Sequence, residues 1–123
     1  MSGNRVLLDT NIIIYLSQRK ISVDSVFYNG IKYYVSIISY MELLSFNFEN
    51  RNEERLIVDI LTKLEIVALD MEIANSVVKL KKERKIKLPD AIIVSTAIVK
   101  KLTLFTNDKQ LLNISGLKVK EIE

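Results

Sequence analysis

The stretch that decides the fold is Arg5–Leu16, RVLLDTNIIIYL. Val6-Leu7-Leu8 is a short apolar run that suits a buried strand, and Ile12 to Leu16 carries the apolar character on into a helix. Between them stand Asp9, Thr10 and Asn11, residue types that favour turns and helix N-caps. The reading is strand, turn, helix, with Asp9 or Thr10 as the cap. A carboxylate buried without a partner between two apolar runs costs on the order of several kcal/mol. Something must therefore keep Asp9 charged. Capping by Thr10 and Asn11 would free it to face a partner.

The alternation continues outward. Ser22 to Gly30 is expected to form a second short helix, ended near the glycine. Lys32 to Ser36 reads as a strand, and Ser39 opens a helix to about Phe48. Another helix starts near Asn52, with Leu56, Ile60, Leu61 and Leu64 on one face. Glu65 to Leu69 is a third strand. Asp70 caps a helix bearing Ile73, Ala74, Val77, Val78 and Leu80. Pro89 suits the first turn of the next helix, whose DAIIVSTAIVKK is apolar nearly all round and so should be central. Leu102 to Phe105 is a fourth strand, and Asp108 to Leu112 a short helix. Leu117 to Ile122 alternates, with Lys118 and Lys120 protecting an edge. Strands alternating with helices mean an α/β fold, a parallel sheet covered on both faces. No linker, repeat or low-complexity segment divides residues 1–123, so a single domain is expected.

Composition narrows the chemistry. The chain has 123 residues, 49% of them hydrophobic, enough for a real core. It has no Cys and no His. That excludes disulfides, thiolate nucleophiles, imidazole bases, Ser-His-Asp triads and sites built on Cys or His ligands. Gly occurs only at positions 3, 30 and 116, which leaves no phosphate-cradling glycine loop. Any catalysis must come from carboxylates, hydroxyls, amides, Lys, Arg or Tyr. Carboxylates without imidazole suit hard cations such as Mg²⁺ or Mn²⁺. The net charge of +3 is compatible with nucleic acid and too small to argue for it. AIIVSTAIV, residues 91–99, is as long as any uncharged run, well short of the roughly 20 residues that span a bilayer. The N-terminal MSGNR shows no signal-peptide pattern, so a cytoplasmic protein with no membrane partner is expected.

Of the fifteen acids, most lie in polar surroundings, in helix first turns or near the C-terminus. Four differ. Asp9 follows the first strand, Glu42 lies within the apolar SYMELLSF, Asp90 opens the central helix, and Asp108 follows the fourth strand in LFTND. Each has a bland reading: Asp9 and Asp108 as caps, Ser39-x-x-Glu42 as a capping box, Asp90 as first-turn dipole chemistry. Taken together the bland reading weakens. The carboxyl ends of parallel strands share one edge, where ligands bind. Two carboxylates about 4 Å apart repel by roughly 4 kcal/mol at an effective dielectric of 20. A divalent cation would offset that.

These motifs resemble the PIN domain: LLDTNIIIYL with Asp9, VSIISYMELL with Glu42, KLPDAIIVSTAI with Asp90 and LFTNDKQL with Asp108. Four in order over almost the whole chain are specific, and the likeness is greatest to VapC-like toxins of toxin–antitoxin pairs. The resemblance implies a three-layer α/β/α fold with a central parallel sheet of four to five strands, order 3-2-1-4-5. It implies a metal-dependent endoribonuclease using Mg²⁺ or Mn²⁺, with Asp9, Glu42, Asp90 and Asp108 as catalytic and metal-binding acids. Asp9 and Asp90 are the first choices for direct ligands, then Asp108. Thr106, Asn107 and Asn11 match supporting positions. Pro89 departs from the small residue common before the third acid, and a first-turn proline leaves the helix intact. The family also implies a homodimer and a small cognate antitoxin protein, for which Met41, Leu43, Leu44, Phe46 and Phe48 offer apolar surface, with intramolecular core the favoured reading for Leu43 and Leu44.

An RNA substrate needs cations outside the acidic pocket. KLKKERKIK, residues 79–87, supplies Lys79, Lys82, Arg84 and Lys85 as candidates, against the plainer reading of a solvated helix end. Tyr33, Tyr34 and Tyr40 are candidates for base stacking, with core or dimer packing favoured for Tyr34. Two other functions compete. One is a PIN-like RNA- or protein-binding module without catalysis. The other is a phosphoryl-transfer protein with Asp9 as nucleophile, disfavoured because Asn11 stands where a second Asp is usual.

Overall fold

The computed structural model describes residues 4–123. Strands β1 (Arg5–Leu8), β2 (Lys32–Ser36), β3 (Glu65–Val67), β4 (Thr103–Phe105) and β5 (Val119–Lys120) form one sheet, all pairs parallel, in the order β3-β2-β1-β4-β5. The helices are α1 (Thr10–Ser17), α2 (Ile37–Ser45), α3 (Arg51–Thr62), α4 (Met71–Glu83) and α5 (Leu88–Lys100). The expected α/β/α architecture and strand order are both present.

Strand periodicity builds two cores. Val6 and Leu8 of β1, Tyr33 and Val35 of β2 and Phe105 of β4 face one layer, packing with Ile12 and Ile13 of α1 and Ile57 and Leu61 of α3. Leu7, Tyr34 and Leu104 face the other, against Ile73 and Val77 of α4 and Ile93 and Val94 of α5. Helix α5 is buried without interruption from Ala91 to Ala97, as its all-round apolar sequence demands. Helix α2 packs against α1, α3 and α5.

The expected helix over Ser22–Gly30 reduces to a 3-10 turn at Val23–Ser25 capped by Ser22. The Tyr33 hydroxyl donates to Val26 O (2.8 Å) and accepts from Tyr28 N (2.7 Å), satisfying from the side a backbone that a helix would have bonded internally. Helix α2 starts earlier than expected and ends at Ser45. Ser36 caps it, accepting from Ile38 N, so Ser39 and Glu42 form no capping box. After Asp108 there is a 3-10 turn, Lys109–Leu111, in place of the expected helix. The fifth strand is confined to two residues of the expected run, and Lys120 Nζ lies 4.8 Å from the Tyr28 ring centroid.

Tyr33 and Tyr34 are buried, which removes both from base stacking, and Tyr40 packs against the first core. Leu43 is buried, while Leu44, for which the core was also favoured, is exposed with Met41 and Phe46. Val78 is 55% exposed, off the core stripe of α4. Ile57, not among the expected core positions of α3, is fully buried. Ile57→Ala should destabilise the protein by about 2–5 kcal/mol. Val58→Ala, one residue on and exposed, should shift stability by less than about 0.5 kcal/mol. Urea denaturation of the two variants beside wild type checks the contrast.

Candidate active site

Asp9 is set by the sheet itself. Its N–H donates to Phe105 O (3.0 Å), carrying the β1–β4 ladder one residue beyond β1. Asp9, not Thr10, is the N-cap of α1: Oδ1 accepts from Thr10 N at 2.8 Å. Thr106, fully buried after β4, donates from its hydroxyl to Asp9 Oδ2 at 2.6 Å. The same hydroxyl accepts the Asp108 N–H at 3.1 Å. One threonine thus joins the ends of the two central strands. Each oxygen of a carboxylate has two lone pairs, so Asp9 keeps acceptor capacity on both.

Thr10 turns to the neighbouring helix. Its Oγ1 lies 2.8 Å from Ser39 Oγ and donates to Glu42 Oε1 at 3.0 Å. The early start of α2 at Ile37 is what brings Ser39 and Glu42 over the start of α1. Asp90 sits in the first turn of α5 behind Pro89, with no side-chain cap at that helix end. Asp108 caps the 3-10 turn, Oδ1 accepting from Gln110 N at 2.9 Å.

The acids share a field. Burial pushes the Asp9 carboxyl above the ordinary carboxylate value, the bonds from Thr106 and Thr10 oppose that, and the charges of Asp90 and Asp108 raise it further. Burial also raises Asp90, with the Asp108 charge adding to it and Lys87 opposing. Asp9, Asp90 and Asp108 therefore feel one another although they come from residues far apart in sequence. Glu42 joins this group through Thr10.

The supporting residues divide. Thr106 touches Asp9 directly. The Asn107 amide bonds the Ile122 backbone, donating to its carbonyl at 2.9 Å and accepting its N–H at 2.7 Å. It holds the end of the sheet beside β4. Asn11 is exposed on α1, with no hydrogen bond to Asp9. Arg84 and Lys85 line a cleft of about 790 Å³ together with Lys81 and Lys87 of the same basic run, while Lys79 and Lys82 lie outside it.

An all-oxygen donor set suits a hard cation. Among the described residues no three acids are already gathered into a metal-holding cluster. Mg²⁺ keeps several waters and is commonly held by one or two carboxylates plus phosphate oxygens, so these acids fit that ion without a closed cage.

The model of the PIN domain family matches residues 6–117. The chain belongs to the PIN domain family. The resemblance read from the four acidic motifs is borne out. No curated protein matches. Among solved structures, this PIN domain is similar to VapBC2 from Rickettsia felis bound to a promoter DNA fragment, at 23% identity and a TM-score of 0.83, covering 97% of this chain and 99% of that one. It is also similar to a toxin–antitoxin complex from Klebsiella pneumoniae, at 30% identity and a TM-score of 0.71, over 91% and 94% of the two chains. VapBC-1 from nontypeable Haemophilus influenzae matches at 24% identity and a TM-score of 0.74, over 95% and 97%. Among the described residues, no helix is long and apolar enough to cross a membrane.

A carboxyl held above its ordinary pKa keeps its proton in the folded chain where the unfolded chain has lost it. The folded state then binds more protons, and stability falls as pH rises from the ordinary value toward the raised one. For Asp9 and Asp90 that window opens at 3.8. The metal-free protein should therefore lose stability as pH rises above about 4, and Asp9→Asn should make this loss shallower. Thermal melts in EDTA across this range test it; an unchanged slope in the variant would show that Asp9 carries no such strain.

Proposed function

We propose that this PIN domain is a metal-dependent endoribonuclease that hydrolyses RNA phosphodiester bonds, and that it is the toxin of a toxin–antitoxin pair with a small cognate antitoxin protein. The observation that carries the reading is Asp9. It is a buried carboxyl at the ligand edge of the sheet, burdened by the charges of Asp90 and Asp108. A helix cap alone requires neither the burial nor the two neighbouring acids. The toxin part rests on the similarity to toxin–antitoxin complexes, at 30% identity for that from Klebsiella pneumoniae.

Asp9 and Asp90, then Asp108, would hold a divalent ion, Mg²⁺ or Mn²⁺, with Glu42 bound through water or at a second ion. Such an ion polarises a phosphoryl oxygen and makes a bound water acidic. Thr106 fixes the Asp9 carboxylate by its 2.6 Å bond, and the Asp108 N–H on the same hydroxyl sets the last acid relative to the first. Thr10 engages Glu42 Oε1. That leaves Oε2 to take the proton of an attacking water as general base. The resemblance to the PIN family implies 5′-phosphate and 3′-hydroxyl ends, and a water nucleophile agrees with that, since the chain has no histidine to promote attack by a ribose hydroxyl. A homodimer and a cytoplasmic setting belong to the same proposal and rest on the family resemblance alone.

Structured RNAs should be cleaved with Mg²⁺ or Mn²⁺ and left intact with EDTA. Asp9→Asn and Asp90→Asn should lose cleavage. Thr106→Val should lose roughly 10–100-fold, the usual effect of removing a group that orients a metal ligand. Equal cleavage by wild type and both Asp→Asn proteins would indicate a contaminating nuclease and sink the reading. Mn²⁺ should also raise the melting temperature of wild type and not of Asp90→Asn, as binding to the folded state alone requires.

A further inference from the structure

The cleft of about 790 Å³ is lined by Lys81, Arg84, Lys85 and Lys87 on one side and by Gln110 and Leu111 on the other, with no acid in its lining. Both sides are tied to the candidate site. Lys87 precedes Asp90 on the same helix start and its charge acts on that carboxyl. Gln110 N–H donates to Asp108 Oδ1. The cleft therefore opens between the segments that carry Asp90 and Asp108.

No ion pair among the described residues engages its cations: the pairs are Lys32–Glu65, Lys100–Asp70 and Lys109–Glu121. Two of the four are braced: Lys81 Nζ donates to Ile86 O at 2.6 Å, and Arg84 Nη1 reaches Asn113 O at 3.4 Å. Complementing a helix dipole accounts for Lys81 in the last turn of α4. It does not account for Lys87, the N-cap of α5, since a helix N-terminus disfavours a cation. Four like charges around one hollow make it attractive to an anion.

We propose that this cleft is a phosphate-binding subsite, holding a backbone phosphate of the RNA strand beside the bond presented to the acids. The proposal rests on the ribonuclease reading above. A phosphodiester chain suits the juxtaposition because its next phosphate is the one a cation on the acids would take. Lys85 and Lys87 face solvent and serve as point charges for it, while the Arg84 guanidinium keeps donors beyond the one aimed at Asn113.

The test is binding, kept apart from cleavage by EDTA. A fluorescein-labelled single-stranded RNA of mixed sequence is titrated with protein at several salt concentrations. The double variant Lys85→Gln/Lys87→Gln should bind about tenfold more weakly, with a log–log salt slope shallower by about 0.7 for the one phosphate no longer held. The same charge change on the opposite layer, Arg51→Gln/Arg55→Gln on α3, should leave binding unchanged within error. Circular dichroism confirms that both variants fold. Equal weakening by the two pairs would mean a general charge effect and overturn the subsite, as would no RNA binding by wild type. Poly-glutamate competing as well as unlabelled RNA would assign the cleft to an acidic protein and also overturn it. The expected variant pattern without cleavage by wild type in Mg²⁺ or Mn²⁺ would keep the subsite and end the ribonuclease reading. Metal-dependent cleavage without the pattern would do the reverse.

Discussion

The Thr106 hydroxyl is the joint on which this PIN domain's acidic edge turns. It donates to Asp9 Oδ2 and accepts from Asp108 N–H, and it is fully buried. A buried hydroxyl that lost either partner would leave a desolvated polar group, at a cost of about 1–3 kcal/mol. The pairing of β1 with β4 must therefore hold its register, Leu8 against Phe105, for the hydroxyl to reach both. The apolar layers above and below fix that register, since a slip of one residue would turn Leu7 and Leu104 to the wrong core.

Most of the frame was legible from residue types. Apolar runs closed by Asp9, Asp70 and Pro89 marked helix starts, and the uninterrupted apolar face of α5 declared it central. Misreadings fell where tertiary partners overrule local preference. The segment after Ser22 is straightened by a tyrosine hydroxyl from β2 that no local pattern announces. The start of α2 moved from Ser39 to Ser36 because both serines suit a cap and only the end of β2 selects between them.

Placing the acids needed less than explaining them. Asp9, Asp90 and Asp108 stood out by their apolar settings, and the structure couples them electrostatically. Their linkage could not be read, because Thr106 and Asn107 are equivalent small polar residues in sequence and opposite in use. One turns inward to Asp9, the other clamps Ile122. Thr10 likewise looked like a cap and serves instead as a bridge to Glu42. Chain topology decides these roles, and an amino-acid pattern records only that a polar group is present.

The clamp by Asn107 has a consequence for how the protein comes into being. Residues 9 and 42 leave a ribosome before 90 and 108, and the strand order places β1 between β2 and β4, both of which are made after it. The loop bearing Asp108 gains its outer support only when Ile122 reaches the Asn107 amide. The contacts that complete the acidic edge span almost the whole chain, as between Asp9 and Thr106, and such long-range closures form slowly. A nascent chain thus carries Asp9 and Glu42 without an assembled site until the segment from Asp90 to Ile122 has followed.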